Sequence, residues 1–551
     1  MNADAHTWPA AGAGTAAAAH AAPWPRRWLL LILAGCLITL AGAPVPHTDG
    51  DAPLYGRIAK NVLASGEWLT LQHRPGWLVD KPPLTIWLIA LSLRLGGEGD
   101  AALRFWQLLM NLVLVWVTYR IARLGAQEEE ALLAALVFVS MGMAFYHSLI
   151  PQQDVPLTLF LALALYDYLR YRRDGRALRA VTTGLWVALA VLTKGLVGLA
   201  AFALIAGADL VAAWRRPLGA QRWRWAAVGA GAATFLMVAA PWFIIGYLRQ
   251  GMPFVDTFFL YGNLGIGRFF KPILVAQPIP LWQALLAYLP MLILSMLPWT
   301  GLLPGTVREA WRGVRDGPPS LRLCALWLVL FFLLLSLSTG DKVIRYLHPL
   351  YPPLAVLAAR HLGAVINRPR GLRGAAVISL IVGIPGLIGV AWLFAGRFPQ
   401  EQRIYLPLVV PFLAVFFVTV AAFAVAALAG RGRAAVAIMA AGTLLSYGVL
   451  EWTVTRHWER LWPWRTVASI VNTEYRPGDR VLIFAEENNF ADYHIRAPVE
   501  FARDEATLFR LWQQGRTFLL LPPGALPHLR ARLRPRVLLE MPVGWVLVTN
   551  R

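Results

Sequence analysis

Ionisable side chains interrupt the apolar stretches of this sequence at only a few positions, and these are the candidates for catalytic or binding residues. Asp154 stands in the segment 151–156, Pro-Gln-Gln-Asp-Val-Pro, between two apolar stretches. A carboxylate at such a place is costly unless it is paired or lines a cavity, so Asp154 is a functional candidate. Lys194 and Lys342 also end apolar stretches, but a long aliphatic stem can carry a cation to the membrane surface, which gives each a purely structural explanation.

The segment from His47 to about Gly97 carries three more such groups, Asp51, Asp80 and Lys81. Apolar residues recur there at helical spacing, first after Asp51 and again after Lys81, which predicts two helices lying in the membrane interface. Asp51 at the start of the first helix is also explained by the helix dipole. Lys81, just before the second, is also explained as an interfacial cation.

These groups suit a reaction in which a phosphate departs at the membrane surface, because a cation stabilises the charge that develops on it. The candidate cations are Lys81, Arg268, Lys342 and Arg345. The carboxylates would act as a base toward a hydroxyl acceptor; toward an acceptor that is already anionic they would orient it or hold a metal ion. Candidate ligands of a divalent metal ion are Asp80, His47 and His348, which form only a scattered pattern.

Composition decides the class of protein that positions these groups. The chain has 551 residues, of which 58% are hydrophobic and 15% charged, and its mean hydropathy is +0.55, which indicates a membrane protein. The net charge of +21 lies in short loops rather than on one stripe or tail, so nucleic acid is not an expected partner. Cys36 and Cys324 both lie in apolar stretches, which excludes a disulfide framework.

About thirteen stretches are long enough to cross the bilayer, an architecture of transmembrane α-helices. The first, 28–43, could also be a signal peptide ending at Ala41-Gly42-Ala43, but the segment before it is long for one. The run 180–213 is interpreted as two helices broken at Lys194-Gly195. The other predicted spans are 103–122, 131–149, 155–169, 226–247, 282–303, 322–338, 346–362, 374–395, 406–429 and 434–452.

Basic loops alternate along the chain, and the positive-inside rule assigns them to the cytoplasm. Residues 1–25 are then a disordered cytoplasmic tail, and residues 26–453 form the transmembrane domain, with the interfacial helices at about 49–97 on the outer side. From 454 to 551 short β-branched runs alternate with helix-like stretches, which predicts a small periplasmic α/β domain.

Several motifs occur in the order found in one family of membrane glycosyltransferases. Residues 51–59 (DAPLYGRIA) are similar to its Asp-Glu-x-x-Tyr-x-x-Ile-Ala stretch, and residues 80–84 (DKPPL) to its Glu-Lys-Pro-Pro-Leu segment. Residues 192–195 match its Leu-Thr-Lys-Gly motif, residues 342–352 resemble its Lys-x-x-x-Tyr-x-x-Pro element, and Asp154 stands where its second outward loop has an Asp. More than half of the chain therefore resembles the lipid A aminoarabinose transferase branch of the protein O-mannosyltransferase-like (GT-C) family.

The resemblance implies thirteen transmembrane helices with an outer α/β domain. It also implies that Asp51 and Asp154 are the essential acidic groups. The residues that it implies at the donor phosphate are Tyr55, Lys81, Lys342 and Tyr346. To these, the chemistry of the loops adds Asp80, Arg268 and Arg345 as substrate-binding candidates.

Some positions depart from the family pattern. Ala52 stands where the family has Glu, Leu54 where many members have Arg, and Asp80 where Glu is usual. These exchanges leave the reaction class in place but leave open whether the donor sugar is aminoarabinose, a hexosamine or a neutral hexose.

The predicted function is therefore glycosyl transfer, with inversion, from undecaprenyl phosphate to a periplasmic acceptor, above all a lipid A phosphate, in the bacterial inner membrane. A transporter or a flippase of lipid-linked sugars is the alternative. It predicts ionisable groups at mid-helix depth along a crossing path, whereas an enzyme predicts Asp51, Lys81, Asp154 and Lys342 gathered in one outward cavity. A structural assembly subunit, a third interpretation, would place the function in the outer domain.

Overall fold

A computed structural model describes residues 23–47, 50–74, 77–78, 81–215, 225–260, 280–394, 404–486 and 488–551. The chain is mostly helical, with a small sheet near its C-terminus. The helices up to the middle of the chain are α1 (Pro23–Ala41), α2 (Asp51–Ser65), α3 (Leu84–Gly96), α4 (Asp100–Arg123), α5 (Glu128–Val139), α6 (Gly142–Ser148), α7 (Asp154–Asp174), α8 (Ala177–Lys194), α9 (Ala200–Arg215), α10 (Trp225–Gln250) and α11 (Met252–Val255).

Further α-helices continue to the end of the membrane part. They are α12 (Leu281–Ser295), α13 (Leu303–Asp316), α14 (Pro319–Leu337), α15 (Tyr351–Val365), α16 (Arg373–Phe394), α17 (Leu406–Leu428) and α18 (Gly432–Leu461). Short 3-10 helices cover Gly195–Leu199, Trp299–Leu302 and Ile344–Leu350, a π-helix covers Asp256–Leu260, and strands β1 (Gln72–Arg74) and β2 (Trp77–Leu78) pair antiparallel between α2 and α3.

Seven helices in the described ranges are long and apolar enough to cross a membrane, or nine if each of two bent helix pairs counts as one span. The protein is therefore a multi-pass membrane protein, while the predicted number of thirteen spans stays a prediction. Helix α7 carries too many charges to pass this test, although most of its side chains are buried among other helices.

The helical stretch from α8 to α9 is interrupted at Gly195, whose φ of 59° favours glycine. A Cβ added to Gly198 would lie 2.4 Å from the backbone nitrogen of Val191. Seven residues along a straight helix are about 10 Å apart. The chain therefore breaks directly after Lys194, where the sequence predicts it.

Two ends of the helical bundle can be told apart by their ion pairs. At one end the acidic start of α5 meets the basic loops: Glu129 accepts from Trp28 Nε1 (3.3 Å) and Arg433 Nη2 (3.0 Å), and Glu130 from Arg360 Nη1 (3.0 Å). At the other end lie the starts of α2 and α7. Two of the basic connections that the sequence assigns to one side, at Arg360 and Arg433, thus meet the start of α5.

The C-terminal part forms a five-stranded sheet of β3 (Arg480–Phe484), β4 (Val499–Ala502), β5 (Thr517–Leu521), β6 (Arg536–Glu540) and β7 (Val546–Thr549). The strand order is β4-β3-β5-β7-β6, with β3 parallel to β4 and β5, and β7 antiparallel to β5 and β6. Its helices are α19 (Trp464–Glu474), α20 (Asn489–His494), α21 (Glu505–Trp512) and α22 (Ala525–Leu533).

Helices cover both faces of this sheet because successive side chains of a strand point to opposite faces. Val481 and Ile483 of β3 pack in the apolar cluster that includes Val467 of α19. Leu482, between them, packs in the cluster that includes Leu508 of α21. The predicted fold class, a helical membrane protein with a small C-terminal α/β region, is confirmed.

Candidate active site

Two carboxylates begin two helices at the same end of the bundle. Asp51 is the first residue of α2 and Asp154 is the first residue of α7. A negative charge is favoured at a helix start because the backbone N–H groups there give it a partial positive charge. The local sequence therefore favours both carboxylates at the starts of their helices.

Asp51 is paired with a residue from the far half of the chain. Arg345 Nη1, in the 3-10 helix before α15, lies 2.7 Å from Asp51 Oδ2. Gln152 Nε2, from the loop before α7, donates to the same oxygen at 3.3 Å. The side chains of Asp51 and Arg345 are 27% and 29% exposed, so this pair can be reached from solvent.

Asp154 has a more enclosed partner. It forms an ion pair with Lys194, the last residue of α8, and the two side chains are only 5% and 14% exposed. Thr158, one turn further along α7, donates to the backbone oxygen of Asp154 at 2.7 Å and lies 2.8 Å from His348 Nδ1. The second carboxylate is thus held inside the protein by its ammonium partner.

Tyr55 and Lys81 extend the site along α2. Tyr55 lies four residues after Asp51, which places both on the same face of the helix. The Lys81 ammonium is 5.0 Å from the centre of the Tyr55 ring. Burial raises the pKa of the Tyr55 hydroxyl to about 12, although the Lys81 charge acts in the opposite direction. Tyr55 is therefore a neutral hydroxyl at physiological pH.

Arg345 and Tyr346 lie between the two carboxylates. The Lys194 ammonium is 4.7 Å from the centre of the Tyr346 ring, and the Arg345 guanidinium carbon is 5.9 Å from it. Burial alone would lower the pKa of Arg345, but the charges of Asp51 and Asp154 raise it above its ordinary value. The two ion pairs therefore form one electrostatic unit.

Lys342 lies beside this unit, with its ammonium turned toward the backbone. Its Nζ donates to the carbonyl oxygens of Leu335 (2.7 Å), Ser336 (3.4 Å) and Ser338, at the end of α14, and lies 4.8 Å from the centre of the Tyr288 ring. Burial lowers the pKa of Lys342 to about 8. Its ammonium caps a helix end in this structure.

The structure thus brings most of the predicted site residues to one end of the bundle. The residues that meet there are Asp51, Tyr55, Lys81, Asp154, Lys342, Arg345 and Tyr346. Asp80 and Arg268, predicted as substrate-binding residues, lie outside the described residues. Their place in the site stays a prediction.

The two histidines predicted as metal candidates have different surroundings. His47 Nε2 lies 3.3 Å from Asp100, and His348 is fully buried against Thr158 and the Tyr351 ring. Within the described residues no group of three His, Cys, Asp or Glu side chains has the arrangement of a metal site.

Sequence reasoning missed two partners of the carboxylates. The sequence gives Lys194 a purely structural explanation as an interfacial cation, but its side chain is only 14% exposed and its ammonium is paired with Asp154. The Leu-Thr-Lys-Gly motif that ends in Gly195 was the signal that could have found it. Gln152 carried only the weaker signal of its place, two residues before Asp154.

Comparison with known proteins gives a match to a family model and matches to named transferases. Residues 80–245 match the family model of dolichyl-phosphate-mannose-protein mannosyltransferase. The chain is 29% identical over 384 residues to an undecaprenyl phosphate-alpha-4-amino-4-deoxy-L-arabinose arabinosyl transferase of Pseudomonas aeruginosa, covering 66% of this chain and 65% of that protein. A similarly named transferase of Pseudomonas fluorescens is 30% identical over 387 residues, with 67% and 62% covered. The alignments thus span just under two thirds of these relatives.

Solved structures match over nearly the whole chain. ArnT from Cupriavidus metallidurans in the apo state has a TM-score of 0.76 at 20% identity, covering 95% of this chain and 98% of that one. The same protein bound to undecaprenyl phosphate gives a TM-score of 0.75. An Archaeoglobus fulgidus oligosaccharyltransferase matches at a TM-score of 0.50 and 11% identity, covering 90% of this chain and 69% of that one. The resemblance predicted from the motifs is confirmed, and the fold is that of ArnT.

Proposed function

We propose that this chain, a multi-pass membrane protein with the GT-C fold and with sequence similarity to the aminoarabinose transferases, is a glycosyltransferase. It moves a pentosyl or hexosyl group, aminoarabinose or a related amino sugar or hexose, from undecaprenyl phosphate to a periplasmic acceptor, a lipid A phosphate. It works in the bacterial inner membrane, with a cytoplasmic tail (1–25), a transmembrane domain (26–453) and a periplasmic domain (454–551).

The observation that carries this proposal is the meeting of two carboxylates and their cations at helix ends on one rim of the bundle. Asp51 and Asp154 begin helices, and Lys194 ends one. A crossing path for a transported solute would need ionisable groups at several depths. A site confined to one rim suits a substrate whose reactive group lies at the membrane surface.

Different exposure suggests different roles for the two carboxylates. Asp51 is accessible and held by Arg345 and Gln152, so its oxygens can meet a substrate. Asp154 is almost closed to solvent, and its charge is neutralised by Lys194. We assign contact with the acceptor to Asp51, and to Asp154 the placing of Lys194 beside Tyr346.

The cations suit the leaving group. In the reaction, the bond from the anomeric carbon to the lipid phosphate oxygen breaks, and the phosphate keeps the electron pair. The acceptor oxygen forms its bond from the opposite face, which inverts the configuration. Lys81 and Arg345 flank Tyr55 and Asp51 at this site and would stabilise the phosphate as its charge develops.

Transfer by the full chain in proteoliposomes tests the proposal. The donors are radiolabelled undecaprenyl-phosphate sugars, one carrying aminoarabinose, one a hexosamine and one a neutral hexose, and lipid A is the acceptor. We expect one donor to be consumed by the parent chain. Asp51→Asn and Lys81→Ala should lower kcat by about 100-fold or more, which is the effect of losing one catalytic or charge-stabilising group.

Asp174→Asn is the matched control, because it makes the same exchange at the other end of α7, where Asp174 pairs with Arg179. It should leave the rate unchanged. Asp51→Asn and Lys81→Ala variants that fold and transfer like the parent would overturn the catalytic assignment. If the parent instead moves a lipid-linked sugar across the bilayer without transferring it, the protein is a flippase.

A further inference from the structure

One buried arginine holds the two chain segments that lead to Asp51 and Asp154. Arg104 lies on α4, in its second turn, and is 2% exposed. It belongs to neither carboxylate pair, and it is absent from the motifs that the sequence shares with the membrane glycosyltransferases.

The guanidinium of Arg104 donates hydrogen bonds to backbone carbonyl groups of two separate segments. Nη1 donates to Ala43 (3.1 Å) and to Val45, and Nη2 donates to Pro46 (3.2 Å). Nε donates to Leu149 at 2.6 Å. A planar group with donors on both edges can join two segments in this way, whereas an ammonium is a point charge on a flexible stem.

Each of the two segments lies the same number of residues before a carboxylate of the site. Pro46 stands five residues before Asp51, and Leu149 stands five residues before Asp154. Beyond the arginine the segments meet again, because Gln152 donates to Asp51. Arg104 therefore fixes the near ends of the two segments whose far ends carry the carboxylates.

A second side chain of α4 reinforces this arrangement. Gln107, three residues after Arg104 and so on the same face of the helix, donates from Nε2 to the backbone oxygen of His147 at 2.9 Å. Within the described part of the chain, the charged groups that act on Arg104 are Asp100, Glu451 and Arg465. Neither carboxylate of the site is among them.

We propose that Arg104 is a positioning residue of the reaction, which sets the separation and orientation of Asp51 and Asp154 through the backbone of residues 43–46 and 149. This inference rests on the proposed glycosyl transfer. A small misplacement of reacting groups can lower a rate by about 100-fold, so a residue that touches no substrate can carry much of the rate.

The test compares Arg104→Lys with the parent in the same transfer assay. Lysine keeps the charge and nearly the length, but it cannot bond both segments at once. We expect kcat to fall by about 10-fold to 100-fold, with the KM for the lipid-linked donor close to the parent value. Hydrogen–deuterium exchange should rise in peptides that cover 43–47 and 149–154 and stay unchanged elsewhere.

Arg120→Lys is the matched control, since it makes the same exchange on the same helix, where the contacts of Arg120 with described residues are with the rings of Trp116 and Tyr166. It should behave like the parent. An Arg104→Lys variant with the parent kcat and unchanged exchange in both segments overturns the inference. So does a general rise in exchange over the whole chain, because it would mean a purely structural role.

The outcome for Arg104 can be separated from the outcome for the proposed function. If Asp51→Asn transfers sugar as fast as the parent, the catalytic assignment fails whatever Arg104 does. In that case the exchange in the two segments still decides whether Arg104 holds them. If Asp51→Asn is inactive and Arg104→Lys is fully active, only the inference about Arg104 fails.

Discussion

The two ion pairs of the site differ in how much the protein's stability depends on them. The side chains of Asp51 and Arg345 are 27% and 29% exposed, so solvent screens this pair and it adds on the order of 1 kcal/mol to stability. The Asp154–Lys194 pair is more enclosed, so removing one partner leaves the other charge poorly compensated in a poorly solvated place. At the scale of the residue, the first pair is therefore the more accessible to a substrate, and the second is the more important for stability.

Lys194→Met should destabilise the protein by up to about 3–5 kcal/mol, because Asp154 would stay buried with only the more distant charge of Arg345 to compensate it. The double variant Asp154→Leu with Lys194→Met should recover most of this loss, since both charges are then gone. Arg345→Met is the control at the exposed pair and should unfold close to the parent temperature. Thermal unfolding in detergent measures all three. A Lys194→Met variant as stable as the parent would contradict the prediction.

At the scale of the element, the short helix α20 of the C-terminal domain is docked on α2. Asp492 lies 3.6 Å from Arg57 Nε and 3.0 Å from His73 Nε2, so it joins α2 to the strand that follows it. Asn489 Nδ2 donates to Gly50 O at 3.2 Å, directly before Asp51. The C-terminal domain thus contacts α2, the helix that carries the accessible carboxylate.

The absence of a side chain at Gly56 lets α20 approach α2 closely. A Cβ at Gly56 would lie 2.5 Å from the ring of Tyr493 on α20, which is nearer than atoms can approach. We expect Gly56→Ala to push α20 away from α2, lower the rate of transfer and raise hydrogen exchange in both helices. Adding Tyr493→Leu should restore part of the contact.

Gly448→Ala serves as the control for this prediction, because that helical glycine has open space around it. Alanine there should stabilise the protein by roughly 0.5–1 kcal/mol through its better helix propensity. If Gly56→Ala proved equally harmless, the close approach of Tyr493 would have no consequence for the site.

At the scale of the whole molecule, the C-terminal domain meets the membrane part through a cluster of ionisable groups, in which Asp100 and His47 are buried and Arg465 is exposed. Asp100 at the start of α4 pairs with Arg465 of α19 and lies 3.3 Å from His47. His494 lies in the same charge cluster, in which Asp100, Arg465 and Lys60 all act on it. An interface of this kind depends on the protonation of its histidines.

Acidification should weaken this interface. Burial lowers the pKa of His494 to about 4; the charge of Asp100 opposes this shift, and those of Arg465 and Lys60 add to it. Because the unfolded histidine binds its proton near pH 6.5, the stabilisation is full above that pH and is lost as the pH falls toward 4. The loss from this residue is on the order of 3 kcal/mol.

Unfolding temperatures at pH 7 and pH 4.5 measure this effect. His494→Gln should lose less stability than the parent over that range. His528→Gln, an exposed histidine of the same domain, should lose as much as the parent. Equal losses in all three proteins would show that His494 does not govern the pH response.

The sequence by itself determined the class of the protein and the nature of its chemistry. Low charge and long apolar runs require a bilayer, and helical periodicity marks α2 and α3. Because a carboxylate between apolar runs is costly, Asp154 could be singled out without any knowledge of its partner. The strands β3, β5, β6 and β7 could also be predicted, since each is a short β-branched or aliphatic run.

Only the tertiary structure decided which charges pair and what holds them. Asp51 and Arg345 are 294 positions apart, and Asp154 and Lys194 are 40 apart, so no local period records either contact. The role of Arg104 was equally hidden, because its partners are backbone carbonyl groups that look alike at every position. Periodicity reports the environment of one element at a time, whereas pairing depends on how separate elements pack against each other.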